Sequence, residues 1–331
     1  MDLLKNRHLY PELLSRINEL ENPIPALRDL CKADLFFLLV YGLNRKDANK
    51  DWLFARCREV QANPNDHLDL WSREHYKSTI ITFALTIQDI LNNPDITIGI
   101  FSHTRPNAKG FLRQIKREFE LNKNLIAWFP DILYENPAKE AIKWSEDDGI
   151  IVKRKSNPKE ATIEAWGVVD GQPTGKHFSL LVYDDIVTKE SVTTPDMIEK
   201  TTDALALSYN LGAHGGHKRF IGTRYHFADT YKTVLERGTA TPRIHAATHD
   251  GSMTGNPVFL TPEQLSNKRR DMGPYVFSCQ MLQNPVADSS QGFDRAWVNH
   301  YDGELQLEQY NWYLLVDAAN GKRKNNDYTS M

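Results

Sequence analysis

Hydrophobic and polar positions along this chain repeat with two periods, one helical and one of strands. Residues 11–20 have helical apolar spacing, and residues 35–41 form an apolar run that is a helix or a core segment. The first sixty residues therefore read as helical. Asn63-Pro64-Asn65-Asp66 breaks the pattern and feeds a short strand over 67–71. A polar turn follows at 72–76, and then a helix over about 77–92 that is apolar on nearly every face. Residues 96–101 predict a second strand, and 106–122 an amphipathic helix with Phe111, Leu112, Ile115 and Phe119 facing inward. Further strands are expected over 161–166, 179–183 and 218–222, the last preceded by a helix over 195–211. After about residue 250 the pattern changes. Thr261 is a helix N-cap with Pro262 at the first helical position, and that helix stops near Met272, at Gly273-Pro274. A looser polar stretch, 287–309, reads as a linker, and 312–317 as an apolar strand closing in Asp317.

Strands alternating with helices imply an α/β fold, a mostly parallel sheet with both faces covered. Ligands then belong at the carboxyl ends of the strands. At 331 residues the chain is long enough for two domains or one large core with an appendage. A net charge of −3 excludes a uniformly basic coat for nucleic acid, so any such contact must come from local patches. Cys31, Cys57 and Cys279 are far apart, and fit neither a disulfide framework nor a zinc site. No apolar run approaches the roughly 18 residues that span a bilayer, and the start carries no signal-peptide core. A cytoplasmic enzyme or assembly factor is the expectation.

Two stretches carry candidate chemistry. Leu180-Leu181-Val182-Tyr183-Asp184-Asp185-Ile186 is an apolar run ending in adjacent carboxylates, as a buried strand delivers acids to a sheet edge. One such carboxylate can hold a magnesium ion while its neighbour orients a water molecule. The other is Ser72-Arg73-Glu74-His75-Tyr76-Lys77-Ser78-Thr79. In the phosphate loop G-x-x-x-x-G-K-[ST], glycines let backbone amides approach phosphates, the lysine bridges them and the hydroxyl binds magnesium. Here Lys77 and Ser78 hold the last two places, while Trp71 and Tyr76 stand at the glycine places. Alone, the first stretch is equally a strand end with turn-forming aspartates, and the second a solvated helix start. The strand-loop-helix context of both favours a nucleotide site. A third element, Gly222-Thr223-Arg224-Tyr225-His226, brings a hydroxyl and a cation to the same edge.

In motif order the chain resembles the large terminase subunit of tailed bacteriophages, the motor that packages DNA into procapsids. The resemblance runs from the Ser72–Ser78 loop through Gly167…Gly171-Gln172-Pro173-Thr174-Gly175, Asp184-Asp185-Ile186 and Gly222-Thr223-Arg224. It continues through Gln283-Asn284-Pro285 to Leu315-Val316-Asp317…Asp327-Tyr328. It implies a P-loop (ASCE-type) ATPase whose loop 72–79 binds ATP. Lys77 would contact the β- and γ-phosphates, and Ser78 with Asp184 would hold Mg2+. Asp185 stands where the family places a catalytic carboxylate, usually glutamate, with Glu190 a second candidate. Arg73 matches a loop arginine at the γ-phosphate, and Gly222, Thr223 and Arg224 match a motif that couples hydrolysis to domain motion. The departure is Tyr76, where even deviant loops of the family keep glycine.

The resemblance also implies partners: double-stranded DNA, a portal protein, a small terminase subunit, and copies of the chain itself in a ring on the portal, or a monomer when isolated. The setting would be the host cytoplasm, with no membrane. Asp317 would be the first metal ligand of an RNase H-like nuclease using Mg2+ or Mn2+, a domain only begun here. The chain thus reads as 1–60 helical, 61–250 ATPase core, 251–310 lid or linker, and 311–331 the incomplete start of that nuclease. Three basic groups could grip DNA phosphates: Lys109, Arg113, Lys116 and Arg117 on one helix; Lys153, Arg154 and Lys155; and Lys268-Arg269-Arg270. Solvated faces account equally well for each. A helicase-like ATPase and a scaffold that binds no nucleotide are the alternatives.

Overall fold

The structure, a computed structural model, describes residues 6–285. The expected linker 287–309, the strand 312–317, and with them Asp317 and Asp327, lie outside the described residues. Eight strands form one sheet: β1 (His67–Trp71), β2 (Ile98–Ser102), β3 (Trp144–Ser145), β4 (Gly149–Ile150), β5 (Ile163–Gly167), β6 (Phe178–Asp184), β7 (Gly212–Gly222) and β8 (Thr241–His245). Their order is β3-β4-β5-β2-β6-β7-β1-β8. The six from β5 to β8 run parallel, and the hairpin β3–β4 adds an antiparallel margin. This is the α/β fold that the sequence predicts, a mostly parallel sheet with both faces covered.

The order decides where the chemistry lies. Parallel strands put all their carboxyl ends on one edge, so Ser72, His103, Asp185 and Thr223 follow neighbouring strands on that edge. One strand, β7, stands between β1 and β6, which separates the two motif-bearing strands by about 10 Å at the usual strand spacing. The helix after β1 spans that gap. It forms as a π-helical stretch, Thr79–Leu85, followed by an α-helix, Thr86–Asn92, where the sequence predicts one regular helix. Ile80 through Leu85 are all buried. The β-branched run Thr79-Ile80-Ile81-Thr82 crowds a regular helix turn, and wide turns of this kind recur at functional sites.

The N-terminal helices, Tyr10–Asn18, Ile24–Ala33 and Asp51–Ala62, share one hydrophobic core with the sheet residues Ile98, Ile100, Leu180, Val182 and Ile221. The other face is covered by Pro195–Ser208 and Thr230–Glu236, packing on Leu68, Phe101, Tyr183 and Phe220. Thr261 caps its helix through a full capping box with Gln264. That helix breaks at Gly273 (φ 70°) as expected, but then resumes and reaches Gln280. Its second half supplies Phe277 to a small core with Ala247, Leu265, Met281 and Leu282, and that burial sustains the extra turns.

Candidate functional site

The loop after β1 is held from outside rather than by its own glycines. The Ser72 amide donates to the His245 carbonyl (3.0 Å), and its hydroxyl to the carbonyls of Met281 and His245. The Arg73 amide donates to the Gln280 carbonyl (3.2 Å). Glu74 and Tyr76 both adopt left-handed backbone, with φ of 63° and 62°. Such a conformation is costly for a bulky residue and persists only where the surroundings impose it. For Tyr76 they do: its hydroxyl donates to Asp47 (2.7 Å) and its ring packs against Phe259. Lys268, from the helix Pro262–Gln280, pairs with Glu74 at 2.6 Å. Tyr76 therefore takes the left-handed conformation usual for glycine without being glycine. Among the described residues, the amides of Glu74, His75 and Tyr76 donate to no protein group, as an anion-binding loop requires. His75 is buried, and burial pushes its imidazole down to about 4, so it is neutral.

Lys77 and Ser78 open the following helix, which brings them to the end of β6. Ser78 Oγ donates to Asp184 Oδ1 (3.1 Å), and Thr82 Oγ1 to Asp184 Oδ2. Asp184 is fully buried. Burial, then the charge of Asp185, pushes its carboxyl well above the usual range, against the opposing pull of the two hydroxyls and Lys77. Lys77 is 8% exposed, with no hydrogen bond or ion pair among the described residues. A buried, unpaired ammonium in a loop of free amides is positioned for an anion.

Beside it, three buried oxygens lack a hydrogen-bond partner: Asp185 Oδ1 after β6, Thr223 Oγ1 after β7 and Ser102 Oγ at the end of β2. Buried polar atoms are ordinarily satisfied, so three orphans on adjacent strand ends point to a missing polar species. Asp185 reaches this position through left-handed backbone (φ 49°), tied by its amide to the Ile221 carbonyl (2.9 Å). The donor set is oxygen only, two carboxylates with nearby hydroxyls. That suits Mg2+, which takes one or two carboxylates and completes its shell with waters and phosphate oxygens. Among the described residues no cluster of three or more His, Cys, Asp or Glu could hold a metal without such help. Residues of all the loop, diacid and Gly222-Thr223 motifs thus meet at one edge.

Gly222 makes room for this arrangement. A Cβ there would overlap the hydroxyl and ring of Tyr231, which is fully buried and cannot yield. Gly222→Ala should therefore destabilise the fold by about 1–3 kcal/mol, the usual cost of overpacking. Thermal unfolding checks this, and an unchanged melting temperature would show that Tyr231 has another position open to it.

The arginines at the site are engaged. Arg73 stacks on Tyr225 (5.6 Å to the ring centre) and donates to its hydroxyl, while Arg73 Nε is buried without a partner. Arg224 is locked to Asp229 (2.9 Å) and to the carbonyls of His226 and Phe227. Glu190 lies exposed in a 3-10 turn, Glu190–Val192, five residues past Asp185. Of the basic groups, the helix stripe is largely neutralised. Lys109 pairs with Asp147, Arg113 with Glu146 (2.6 Å) and Lys116 with Glu120 (2.8 Å), which leaves Arg117 exposed and unpaired among the described residues. Lys268 is held by Glu74, Arg269 lies over Phe277, and Arg270 meets Asp271 at 2.9 Å. Thr82 and Ser102 belong to the site and escape the sequence reading, and Tyr225 is named there only as part of the 222–226 motif, with no role of its own. Ser102 ends β2 at the sheet's carboxyl edge, a positional signal that could have found it.

The chain matches no protein-family model and no curated protein. It is similar to solved structures of the large terminase from a thermophilic bacteriophage. The complex with ATP-gamma-S overlaps with a TM-score of 0.42 at 12% identity, over 80% of this chain and 56% of the other. The ADP complex gives 0.37 at 12% identity, over 77% and 53%, and a further structure of that terminase 0.35 at 12%, over 75% and 51%. The chain spans about half the length of the terminase it matches.

Proposed function

We propose that this chain is the ATP-hydrolysing motor of a machine that drives double-stranded viral DNA into a procapsid. What supports ATP hydrolysis is the meeting, at one sheet edge, of the unpaired Lys77, the free loop amides, the Ser78–Asp184 pair and the orphaned Asp185 oxygen. The order of motifs along the chain supports the packaging role. In this reading the amides of Glu74 to Tyr76 and Lys77 bind the β- and γ-phosphates. Ser78 and Asp184 hold Mg2+, which when bound neutralises charge building on the transferred phosphoryl group. Asp185 accepts a hydrogen bond from the attacking water and aims it at the γ-phosphorus, with Thr223 placed to report the change to β7 and Arg224. DNA, a portal protein, a small terminase subunit and further copies in a ring are the partners of this reading, and a nuclease with Asp317 belongs to the whole protein.

Titration with Mg-ATP tests the core of the proposal. A dissociation constant below millimolar, lost when Mg2+ is withdrawn, is expected. Weaker binding would leave a scaffold. With Arg73 on Tyr225 and Arg224 on Asp229, the guanidinium that stabilises the transition state is assigned to a neighbouring subunit. Such a group is worth roughly 10³–10⁵ in rate. Turnover per chain should accordingly be slow when dilute and rise with concentration. Fast turnover that is independent of concentration would place the whole site in one chain.

A further inference from the structure

Five basic residues without an ion pair among the described residues gather at the opposite edge of the sheet. The segment 151–162 enters β5 at its amino end, about 16 Å along the strand from the nucleotide edge at 3.3 Å per residue. With Tyr134 and Lys143 it lines a groove of about 700 Å3 that presents Lys143, Lys153, Arg154, Lys155 and Lys159. None of these five forms an ion pair among the described residues, unlike the partners found on the helix 105–121 and around Lys268. Arg154 Nη1 is buried without a hydrogen-bond partner. Asp95 Oδ1 accepts only neutral donors, the amides of Lys155 (2.9 Å) and Ser156 (2.7 Å) and the Ser156 hydroxyl, and Glu160 accepts the His177 amide (2.8 Å); both acids act on Arg154 electrostatically, so the groove's excess charge is carried by its four lysines. Lys153 Nζ donates to the Pro130 carbonyl and Lys159 Nζ to that of Gly175, so both stems are fixed while their charge stays uncompensated.

We infer that this groove is where the chain grips the phosphodiester backbone of duplex DNA. The inference rests on the motor reading for its choice of polyanion and names the surface that reading leaves open. Unpaired cations held at fixed positions bind phosphates without regard to sequence. Strand-tracking sites for unpaired bases use several aromatic platforms, whereas the groove has one ring, Tyr134, with Lys153 Nζ over it at 5.3 Å from its centre, so the duplex is favoured over a single strand.

The test is fluorescence anisotropy of the full chain with a labelled mixed-sequence duplex over a series of salt concentrations. Lys143 and Lys155 make no side-chain hydrogen bond, so Lys143→Gln with Lys155→Gln removes charge without removing support. That variant should lower the slope of log affinity against log salt by about 1.8, two contacts at ≈ 0.9 each. Lys109→Gln with Arg113→Gln should leave the slope unchanged, and both variants should bind Mg-ATP as the parent does. Equal slopes for parent and groove variant, or a fall confined to the helix variant, overturn the assignment. So does a chain that ignores duplex but binds polyglutamate through the groove, which would mark a docking site for an acidic protein. Salt-dependent duplex binding as expected, in a chain that fails to bind nucleotide, would refute the motor reading and keep the groove.

Discussion

Replacing Lys77 with alanine is expected to remove ATP hydrolysis, by at least about a hundredfold in kcat, while the melting temperature hardly moves. The side chain is buried yet joins no hydrogen bond or ion pair among the described residues, so no structural partner is stranded by its loss. What is lost is a cation poised beside the loop amides. A single preorganised group of that kind is typically worth roughly 10²–10³ in rate. There is a second effect. Lys77 opposes the upward push on the Asp184 carboxyl, so its removal leaves that acid harder to ionise and less able to hold Mg2+ near neutral pH. Both effects reduce turnover. Phosphate release with DNA and portal present is the measurement, and parental turnover in the variant would remove Lys77 from the mechanism.

The parts of the fold that a local pattern encodes were legible. The strands β1, β2, β5 and β6, and the Thr261 cap, follow from apolar period and capping chemistry alone, and the structure has them within a few residues. The strand β8 was not. Its Pro242 and Arg243 interrupt any apolar run, and they are tolerated because β8 is an edge strand whose one partner is β1. The hairpin β3–β4 has two residues per strand, too few for a period to show. The helix past Gly273 resumes because of tertiary burial of Phe277, which the local breaker Gly-Pro conceals.

The site divides in the same way. Residue types in a strand-loop-helix order disclosed the loop and the diacid, since both are contiguous in sequence. What holds them is not contiguous. Glu74 meets Lys268, Arg73 meets Tyr225, and Tyr76 reaches Asp47, pairs that no spacing rule links. The helix stripe shows the converse. Its periodicity predicts a cationic face correctly, but Glu146 and Asp147 arrive from the β3–β4 turn and neutralise it. A charge pattern on one element says nothing of the element packed against it.

Asp184→Asn and Asp185→Asn should fail differently, although the residues are neighbours. The first variant's carboxamide would retain one oxygen for Ser78 or Thr82, and either hydroxyl can turn to accept from the new NH2 group, so the fold should stand. Its loss is of charge at the Mg2+ position, and Mg-dependent nucleotide binding should weaken. Asp185, outside that hydroxyl pair and with a free Oδ1, is placed to handle water instead; its asparagine variant should bind Mg-ATP and not turn it over. The pH dependence separates them further. The folded Asp184 carboxyl lies above its unfolded value, so between the ordinary carboxylate range and the folded value, about 7, the native state holds more protons than the unfolded one. Stability of the nucleotide-free chain from this group is then present at low pH and falls as pH rises through that window. Asp184→Asn should cancel the fall, so that the variant gains on the parent in melting temperature from about pH 4 to pH 7. Mg2+ must displace that same proton, so the parent's Mg-dependent affinity should strengthen over the interval while the variant's stays flat. If the two variants bind and hydrolyse alike, or if melting curves of parent and Asp184→Asn run parallel with pH, the division of roles at the end of β6 is wrong.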